Sequence, residues 1–192
     1  MKSGRLADLT SAFMAQTEAI LTWYHRPYNS QRPQVCFDEK SVQLLAHSRR
    51  PLPDQPGKPR REDYEYKRAG TRNLFVFVEP QAGQRHILIS QRRTKQGFAQ
   101  VMRYWVDVLY PEADSIDLGL DNLNTHHYHP LVEFFGGVEA DRIARRLCFH
   151  FTPAHASWLN MAEIELSVLS QQYLDRLLPD EWTLAMELWA SE

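Results

Sequence analysis

Apolar residues follow two different periods along the chain, and each period predicts one type of secondary structure. In residues 9–24 and 94–110 they recur every three or four positions, which is the spacing of an amphipathic helix. Compact apolar runs at 34–38 and 71–79 are typical of buried strands, and the first run is open to continuation through residues 41–45. Helices and strands are therefore predicted to be mixed along the chain.

The rest of the pattern adds a hairpin and then alternates strand with helix. Residues 80–83 predict a turn, after which residues 86–90 pair with the preceding strand. Further strands are predicted at 115–121 and 146–152, and further helices at 126–136, at 157–178 with Ser157 as its cap, and from Asp180 to the end of the chain. Three successive strands followed by this alternation predict an α/β fold, in which helices flank a mixed sheet made of an antiparallel hairpin plus parallel strands.

Two other α/β folds fit this order poorly. A TIM barrel alternates strand and helix throughout, and a Rossmann domain needs a G-x-G-x-x-G after a strand, which this chain lacks. Residues 49–63 hold four prolines and many charges, and they predict a loop. Because 192 residues suffice for one hydrophobic core, we divide the chain into a helix and connector over 1–32 and one domain over 33–192.

Composition places the chain among globular proteins without naming a function. Hydrophobic residues make up 43% and charged residues 24%, and no apolar run is long enough to span a membrane. Both cysteines, Cys36 and Cys148, lie in apolar strand segments, which indicates buried thiols in a reducing cytoplasm. The net charge of −2 does not point to nucleic acid, and local clusters of basic residues at 49–61, 92–95 and 142–146 are typical of a solvated surface.

Two aspartates follow apolar strands and are candidates for chemistry. Asp38 ends the first predicted strand, and Asp121 ends the strand predicted at 115–121. A carboxylate at the edge of the core costs several kcal/mol unless it is paired or binds a metal, although an aspartate can also cap the turn that follows it. Glu39 comes directly after Asp38, and neighbours in a strand point to opposite faces, so only one of the two can face a shared site.

The helix predicted at 157–178 offers a third acidic group. Glu163 and Glu165 lie on opposite sides of its apolar stripe, and the periodicity does not choose between them. Asn160 precedes Glu163 by three residues and so lies on the same helical face, which gives Glu163 a polar neighbour. Two solvated acidic residues would explain this pattern equally well.

Three carboxylates without accompanying cysteines favour a hard cation. Mg²⁺ prefers oxygen ligands, and two such ions can activate a water or a 3′-hydroxyl and stabilise the leaving oxygen during attack at phosphorus. His126, His127 and His129 cluster near Asp121, but their spacing is not that of a zinc site and no H-E-x-x-H supports one. The residue types therefore indicate Mg²⁺, with Mn²⁺ as a substitute, and not Zn²⁺.

Three segments resemble the DDE transposases of the mariner superfamily, in particular its bacterial insertion-sequence branch. They are Cys36-Phe-Asp-Glu39, Asp121-Asn122 with His126, and Phe151-Thr-Pro-x-His-x-Ser-Trp-Leu-Asn-x-x-Glu163. The resemblance covers residues 33–190 and implies an RNase H-like fold, with the first two aspartates on adjacent strands and the glutamate on a late helix. Residues 33–192 would then form an RNase H-like DDE catalytic domain, and residues 1–32 a linker helix and connector.

The resemblance also implies residue roles and a reaction. The catalytic residues that would bind two metal ions are Asp38, Asp121 and Glu163, so the match selects Glu163 over Glu165. The supporting residues that would orient ligands or phosphates are Asn122, His126 and Asn160. The implied reaction is metal-dependent cleavage of DNA at insertion-sequence ends, followed by strand transfer into target DNA at a TA dinucleotide. The resemblance also implies a homodimer during synapsis and no membrane association. It implies a location in the bacterial cytoplasm, at the nucleoid when the protein is bound to DNA.

Two features depart from the family pattern. Between Asp121 and Glu163 lie 41 residues, more than is usual in the superfamily, and a longer turn at 136–142 would account for them. The family carries helix-turn-helix domains before the core, for which the first 24 residues leave no room, and the chain is expected to stop inside a helix. We therefore expect a catalytic core truncated at its C-terminus, with the helix-turn-helix supplied by a separate reading frame or absent. A non-catalytic remnant of a transposase and a general RNase H-like nuclease remain the alternatives.

Overall fold

The fold is built on a single mixed sheet of five strands. The computed structural model describes residues 10–49, 57, 65–121 and 127–191. The strands are β1 Gln34–His47, β2 Tyr66–Glu79, β3 Gln84–Ser90, β4 Ile116–Leu120 and β5 Leu147–Phe151. They lie in the order β3-β2-β1-β4-β5, where β2 is antiparallel to both of its neighbours, β1 and β3, and β4 is parallel to both of its neighbours, β1 and β5. The predicted combination of an antiparallel hairpin with parallel strands is confirmed.

Helices cover both faces of this sheet. They are α1 Ser11–Tyr24, α2 Lys95–Tyr104, α3 His129–Phe135, α4 Gly137–Ala144, α5 Met161–Leu169 and α6 Glu181–Trp189. One π-helical turn, Trp105–Leu109, extends α2, and another, Ser170–Leu174, extends α5. Among the described residues, no helix is long and apolar enough to cross a bilayer.

Most predicted boundaries agree with the structure to within a few residues. The two apolar runs predicted around 34–45 form the single strand β1, and β2 begins at Tyr66, before the predicted residue 71. Cys36 and Cys148 are free thiols, the first buried and the second half-buried. The loop predicted at 49–63 lies for the most part outside the described residues.

The turn predicted at 136–142 is wrong, because a helix stands there. Gly136 adopts φ 78° and ψ 166°, a conformation open to glycine, and it separates α3 from α4. α4 buries Ala140 and Ile143, which are three residues apart and so share a helical face. An eight-residue helix, and not a longer turn, therefore takes up part of the sequence between Asp121 and Glu163.

The helix predicted at 157–178 is shorter than expected at both ends. Ser157–Leu159 form a 3₁₀ turn, and Asn160, with φ −81° and ψ 115°, caps α5 in place of Ser157. The expectation that the chain stops inside a helix is also wrong, because α6 ends at Trp189 and Ala190 is its C-cap.

Alternation along the strands divides the core into two layers. The side chain of Phe37 packs with Phe75, Phe77 and Trp105 beneath α2, α3 and α4, and we call this side of the sheet the α2 face. Cys36 points the other way, into a layer shared with α1, α5 and α6, which we call the α5 face. Successive residues of β1 thus belong to different layers, as a period of two requires.

Trp23 of α1 occupies the middle of the α5 face. Its side chain is 1% exposed, and its ring stacks on that of His150 with centroids 4.7 Å apart and planes 11° apart. A Cβ added at Gly119 of β4 would lie 2.6 Å from Cη2 of Trp23. The absence of a side chain at Gly119 is therefore what lets α1 rest directly on the sheet.

We predict that Gly119→Ala lowers the free energy of unfolding by about 1–3 kcal/mol, the usual cost of overpacking a core. The stacked Trp23 ring has no room to withdraw, so β4 or α1 must shift. Urea denaturation measures the loss. The matched control is Gly137→Ala at the start of α4, where an added Cβ meets nothing within 4 Å, and which should be neutral or slightly stabilising. Equal stability of Gly119→Ala and wild type would contradict this account.

Asp117 of β4 anchors the connector after α1 to the same face. Its side chain is 1% exposed, Arg32 binds it with two hydrogen bonds of 2.7 and 3.0 Å, and Nε2 of His150 lies 2.7 Å from Oδ1. Arg26 approaches Oδ2 at 3.4 Å. Burial alone would raise the pKa of Asp117, but the hydrogen bonds from Arg32 and His150 lower it more strongly, so its pKa lies below the ordinary value.

This lowered pKa predicts how stability depends on pH. The contribution of the Asp117 network is fully present above the unfolded-state pKa of about 4, and it is lost as the pH falls through the lower folded-state value. We expect Asp117→Asn to cost about 1–3 kcal/mol near neutral pH, and the gap to wild type to shrink below about pH 4. Urea unfolding at a series of pH values measures this gap, and a gap that stays constant into strong acid would refute the assignment.

Candidate functional site

The pairing of β1 with β4 brings the two candidate aspartates side by side. Cys36 pairs with Gly119 in the parallel ladder, and Asp38 and Asp121 each follow two residues later. β4 ends at Leu120, so Asp121 is the first residue beyond its carboxyl end. Adjacent strands lie about 4.8 Å apart, and Asp38 and Asp121 each come two residues after the last pair of this ladder.

Both aspartates lie on the α5 face. Asp38 lies two residues after Cys36 in β1, so its side chain points to the same face as that of Cys36, which packs in the α5-face layer. In β4, the side chains of Leu118 and Leu120 pack on the α2 face. Asp121 therefore continues the α5 face of β4, as Asp117 and Gly119 do. The backbone N–H of Glu39 donates to Oδ1 of Asp38 at 2.7 Å and helps to orient that carboxylate.

Glu39 belongs to the other face of the sheet. Its side chain is 2% exposed and forms an ion pair with Arg93, which follows β3. The prediction that only one of these two neighbouring acids can face a shared site is therefore confirmed, and the one on the α5 face is Asp38.

A short segment connects β5 to α5 across the end of β4. Its first residue, Thr152, donates its backbone N–H to the carbonyl of Leu120 at 3.0 Å. Its last residue, Asn160, donates from Nδ2 to the carbonyl of Phe37 in β1 at 2.8 Å. Because β4 lies between β5 and β1, residues 152–160 pass the carboxyl end of β4, where Asp121 stands. We call them the crossing segment.

Asn160 links the crossing segment, the sheet and α5. It is 2% exposed, and its Oδ1 accepts from the backbone N–H of Ala162 at 3.2 Å, which caps α5. The backbone N–H of Glu163 donates to the carbonyl of Asn160 at 3.0 Å. The first turn of α5 is thus held against β1 at the residue that precedes Asp38, and Glu163 lies in that turn.

The two glutamates of α5 have different surroundings. Glu165 forms an ion pair with Arg85 of β3 at 2.9 Å. Oε2 of Glu163 is buried and has no hydrogen-bond partner in the described part of the chain. A buried carboxylate oxygen left in this way is costly, and it calls for an explanation. Among the described residues, no three His, Cys, Asp or Glu side chains lie close enough to hold one metal ion.

Tyr24 is a residue of this region that the sequence pattern does not single out. Its hydroxyl donates to the carbonyl of Leu159 at 2.8 Å, accepts from the backbone N–H of Met161 at 3.3 Å and lies 3.3 Å from Sγ of Cys36. Burial, followed by the effect of Cys36, raises the pKa of Tyr24, and burial raises the pKa of Cys36 to about 11. Both groups therefore stay neutral at ordinary pH. The Tyr24 hydroxyl holds the end of the crossing segment through its hydrogen bond to Leu159.

Two of the six predicted site residues, Asn122 and His126, lie outside the described residues. The structure places Asp38, Asp121, Glu163 and Asn160 on one face at one edge of the sheet. A family model described as "DDE superfamily endonuclease" matches residues 33–185. The chain belongs to this family. The match covers most of the chain, including the four described site residues of this DDE superfamily endonuclease.

Solved structures with the same fold are complexes of the Mos1 mariner transposase. The paired-end complex with Mn has a TM-score of 0.59 and 17% sequence identity, and the match covers 100% of this chain and 60% of the Mos1 chain. The complex with Mg has a TM-score of 0.57 and 18% sequence identity, and the match covers 100% of this chain and 58% of the Mos1 chain. The strand transfer complex has a TM-score of 0.57 and 18% sequence identity, and the match covers 100% of this chain and 57% of the Mos1 chain. The predicted RNase H-like fold is confirmed, and this DDE endonuclease chain spans about 60% of the Mos1 chain. No curated protein sequence matches it.

We predict that Asn160→Ala lowers the free energy of unfolding by about 2–4 kcal/mol, because it removes a helix cap and leaves the buried carbonyl of Phe37 without this donor. The matched control is Asp180→Ala, which removes the cap of α6, a 2.7 Å hydrogen bond to the N–H of Thr183, without breaking a bridge to the sheet. The free energy of unfolding of that variant should be about 1 kcal/mol lower than that of the wild type. Equal losses in urea denaturation would show that the bridge to β1 adds nothing.

Proposed function

We propose that this chain is the catalytic core of a transposase that cleaves DNA at insertion-sequence ends and joins the freed ends to target DNA. Asp38, Asp121 and Glu163 are its three carboxylates. The observation that carries the proposal is the buried, unpartnered Oε2 of Glu163, in a helix turn that is bonded to β1 beside Asp38. The family match supports phosphodiester cleavage as the class of reaction.

The donor set suits a divalent cation. All three groups are carboxylates, which are the hard oxygen ligands that Mg²⁺ and Mn²⁺ prefer. A cation would also satisfy the buried oxygen of Glu163, which no described side chain or backbone group does. The Mos1 paired-end complexes were solved with Mn and with Mg, which supports the same metals here. We propose two ions, held by Asp38, Asp121 and Glu163.

Each residue then has a separate task. Bound divalent ions supply a Lewis acid that lowers the pKa of an attacking water or 3′-hydroxyl and neutralises the leaving oxygen. Asp38 provides a carboxylate from β1, and Asp121 provides one from the residue directly after the adjacent strand β4. Glu163 closes the site from α5, and Asn160 positions that helix. Asn122 and His126 remain proposed supporting residues for ligands or phosphates.

The partners follow from the proposed reaction. The substrates would be the DNA ends of the insertion sequence and the target DNA, in a bacterial cytoplasm at the nucleoid. The named Mos1 complexes contain paired ends, which supports a homodimer that holds two DNA ends during synapsis. The division into a linker over 1–32 and a catalytic domain over 33–192, and the bacterial insertion-sequence branch, belong to the same proposal.

We predict that Glu163→Gln lowers metal-dependent DNA cleavage by at least about a hundredfold, because a neutral amide cannot replace a metal-binding carboxylate. The matched control is Glu165→Gln, two residues along the same helix, which removes only the pairing with Arg85 and should keep activity within about fivefold of wild type. The assay measures nicking of supercoiled plasmid and of a duplex that carries the terminal repeats flanking the gene, with Mg²⁺ or Mn²⁺.

Calorimetric titration with Mn²⁺ gives a second measurement that does not depend on the DNA sequence. We expect Mn²⁺ to bind the wild type and Glu165→Gln, and to bind Glu163→Gln or Asp121→Asn much more weakly. Cleavage that survives Asp121→Asn would refute the triad. Mn²⁺ binding without cleavage of any DNA would favour a non-catalytic remnant, and cleavage of RNA–DNA hybrids in preference to transposon ends would favour a general nuclease.

A further inference from the structure

Trp158 presents a large aromatic surface to solvent near the end of the crossing segment. It is 62% exposed, whereas Leu159, the next residue, is 7% exposed, and Ala156, two residues before it, is 0% exposed. Indole side chains are usually buried in large part, because they carry much apolar area. An exposed indole on a buried backbone is therefore a feature that the packing of the core does not explain.

The backbone beneath Trp158 is held on both sides. The N–H of Ala156 donates to the carbonyl of Pro153 at 3.0 Å, and the carbonyl of Leu159 accepts from the hydroxyl of Tyr24 at 2.8 Å. Asn160 then fixes the end of the segment to β1. The exposure of Trp158 thus belongs to a fixed 3₁₀ turn, and the side chain is displayed at low conformational cost.

The part of the crossing segment just before this 3₁₀ turn carries backbone strain. His155 has φ 64° and is the one non-glycine residue with positive φ in the part of the chain that the structure describes. A non-glycine residue in this region is strained, and such residues cluster at ligand-binding and catalytic sites. The side chains of His155 and Trp158 both face solvent, so the strain shapes an exposed surface.

The position of this surface relates it to the proposed chemistry. The crossing segment passes the carboxyl end of β4, with Asp121 at that end and Glu163 four residues beyond Leu159. A DNA strand whose phosphodiester reaches these carboxylates must therefore run past the crossing segment. A base beside the scissile phosphate that leaves the stack costs a few kcal/mol of stacking and pairing, which an aromatic side chain of the protein can offset.

We propose that Trp158 stacks on an unpaired nucleobase next to the scissile phosphate, and that it is a positioning residue for single-stranded DNA at the site. This inference rests on the proposed function. Every base has a π-face, so one aromatic side chain can hold a base of any sequence. The rigid turn keeps the ring in place before DNA arrives, which reduces the entropy lost on binding.

The experiment measures DNA binding without cleavage, with the full chain in the presence of EDTA. The probes are a generic single-stranded oligonucleotide and a duplex with an unpaired 2-aminopurine at a nick, followed by fluorescence anisotropy and 2-aminopurine emission. We expect Trp158→Ala to weaken binding to the single strand about tenfold and to restore 2-aminopurine emission. Trp158→Phe should keep most of the affinity and of the quenching.

The matched control is Trp182→Ala, because Trp182 of α6 is 74% exposed and lies outside the crossing segment. It should bind both probes like wild type. Binding by Trp158→Ala that equals wild type, an equal loss in Trp182→Ala, or no binding of either probe by wild type would overturn the proposal. Loss of self-association on Trp158→Ala, with DNA binding unchanged, would instead make this surface a protein interface and would also overturn it.

The outcome is separable from that of the proposed function. Glu163→Gln should lose cleavage but keep the stacking of 2-aminopurine, because it leaves Trp158 in place. Stacking without metal-dependent cleavage would therefore contradict the proposed function alone, and cleavage without stacking would contradict the role of Trp158 alone.

Discussion

The short parallel ladder between β1 and β4 is the constraint on which the rest of the site depends. Only three residue pairs form it, from Gln34 with Asp117 to Cys36 with Gly119. A shift of one residue would move every side chain of β4 to the opposite face and separate the two aspartates. The register is held on the α5 face by the contact of Trp23 with Gly119 and by the ion pairs of Asp117 with the connector. Structural residues thus determine where the functional ones stand.

The basic residues of the described chain are largely used within the protein. Arg142 binds Asp107 and Glu139, Lys95 pairs with Glu133, and Arg146 donates to backbone carbonyls. Several basic residues of the clusters at 92–95 and 142–146 are therefore engaged within the chain. Exposed ion pairs of this kind contribute little stability, but they do withdraw cations from phosphate binding.

Local patterns predict the parts of this fold whose causes are local. The apolar pattern of the strand predicts β1, and the turn residues at 80–83 predict the β2–β3 hairpin. Asp180 predicts the capped start of α6. The helix α4 is missed because its stability comes from burying two side chains against the sheet, and the cap at Asn160 is missed because Ser157 is an equally good local candidate. Contacts distant in sequence decide both cases.

The site shows the same division. Strand position alone makes Asp38 and Asp121 candidates, because an acid at the end of a buried strand needs a reason to be there. Tyr24 gives no local indication, since its partners Leu159 and Cys36 are brought to it only by the fold. The choice between Glu163 and Glu165 needs either the family motif or the structure, because both residues border the same apolar stripe.

The contrast between these two glutamates shows how the fold separates stability from function. Glu165 has a partner in Arg85, so its charge is compensated within the chain. Glu163 keeps a buried oxygen without such compensation, although a glutamine or an apolar residue would avoid the cost of burying a charge. The stability of the chain alone therefore does not account for that arrangement. The cost is borne by the α5 turn, which Asn160 ties to the sheet, and this is why the cap and the carboxylate occur three residues apart.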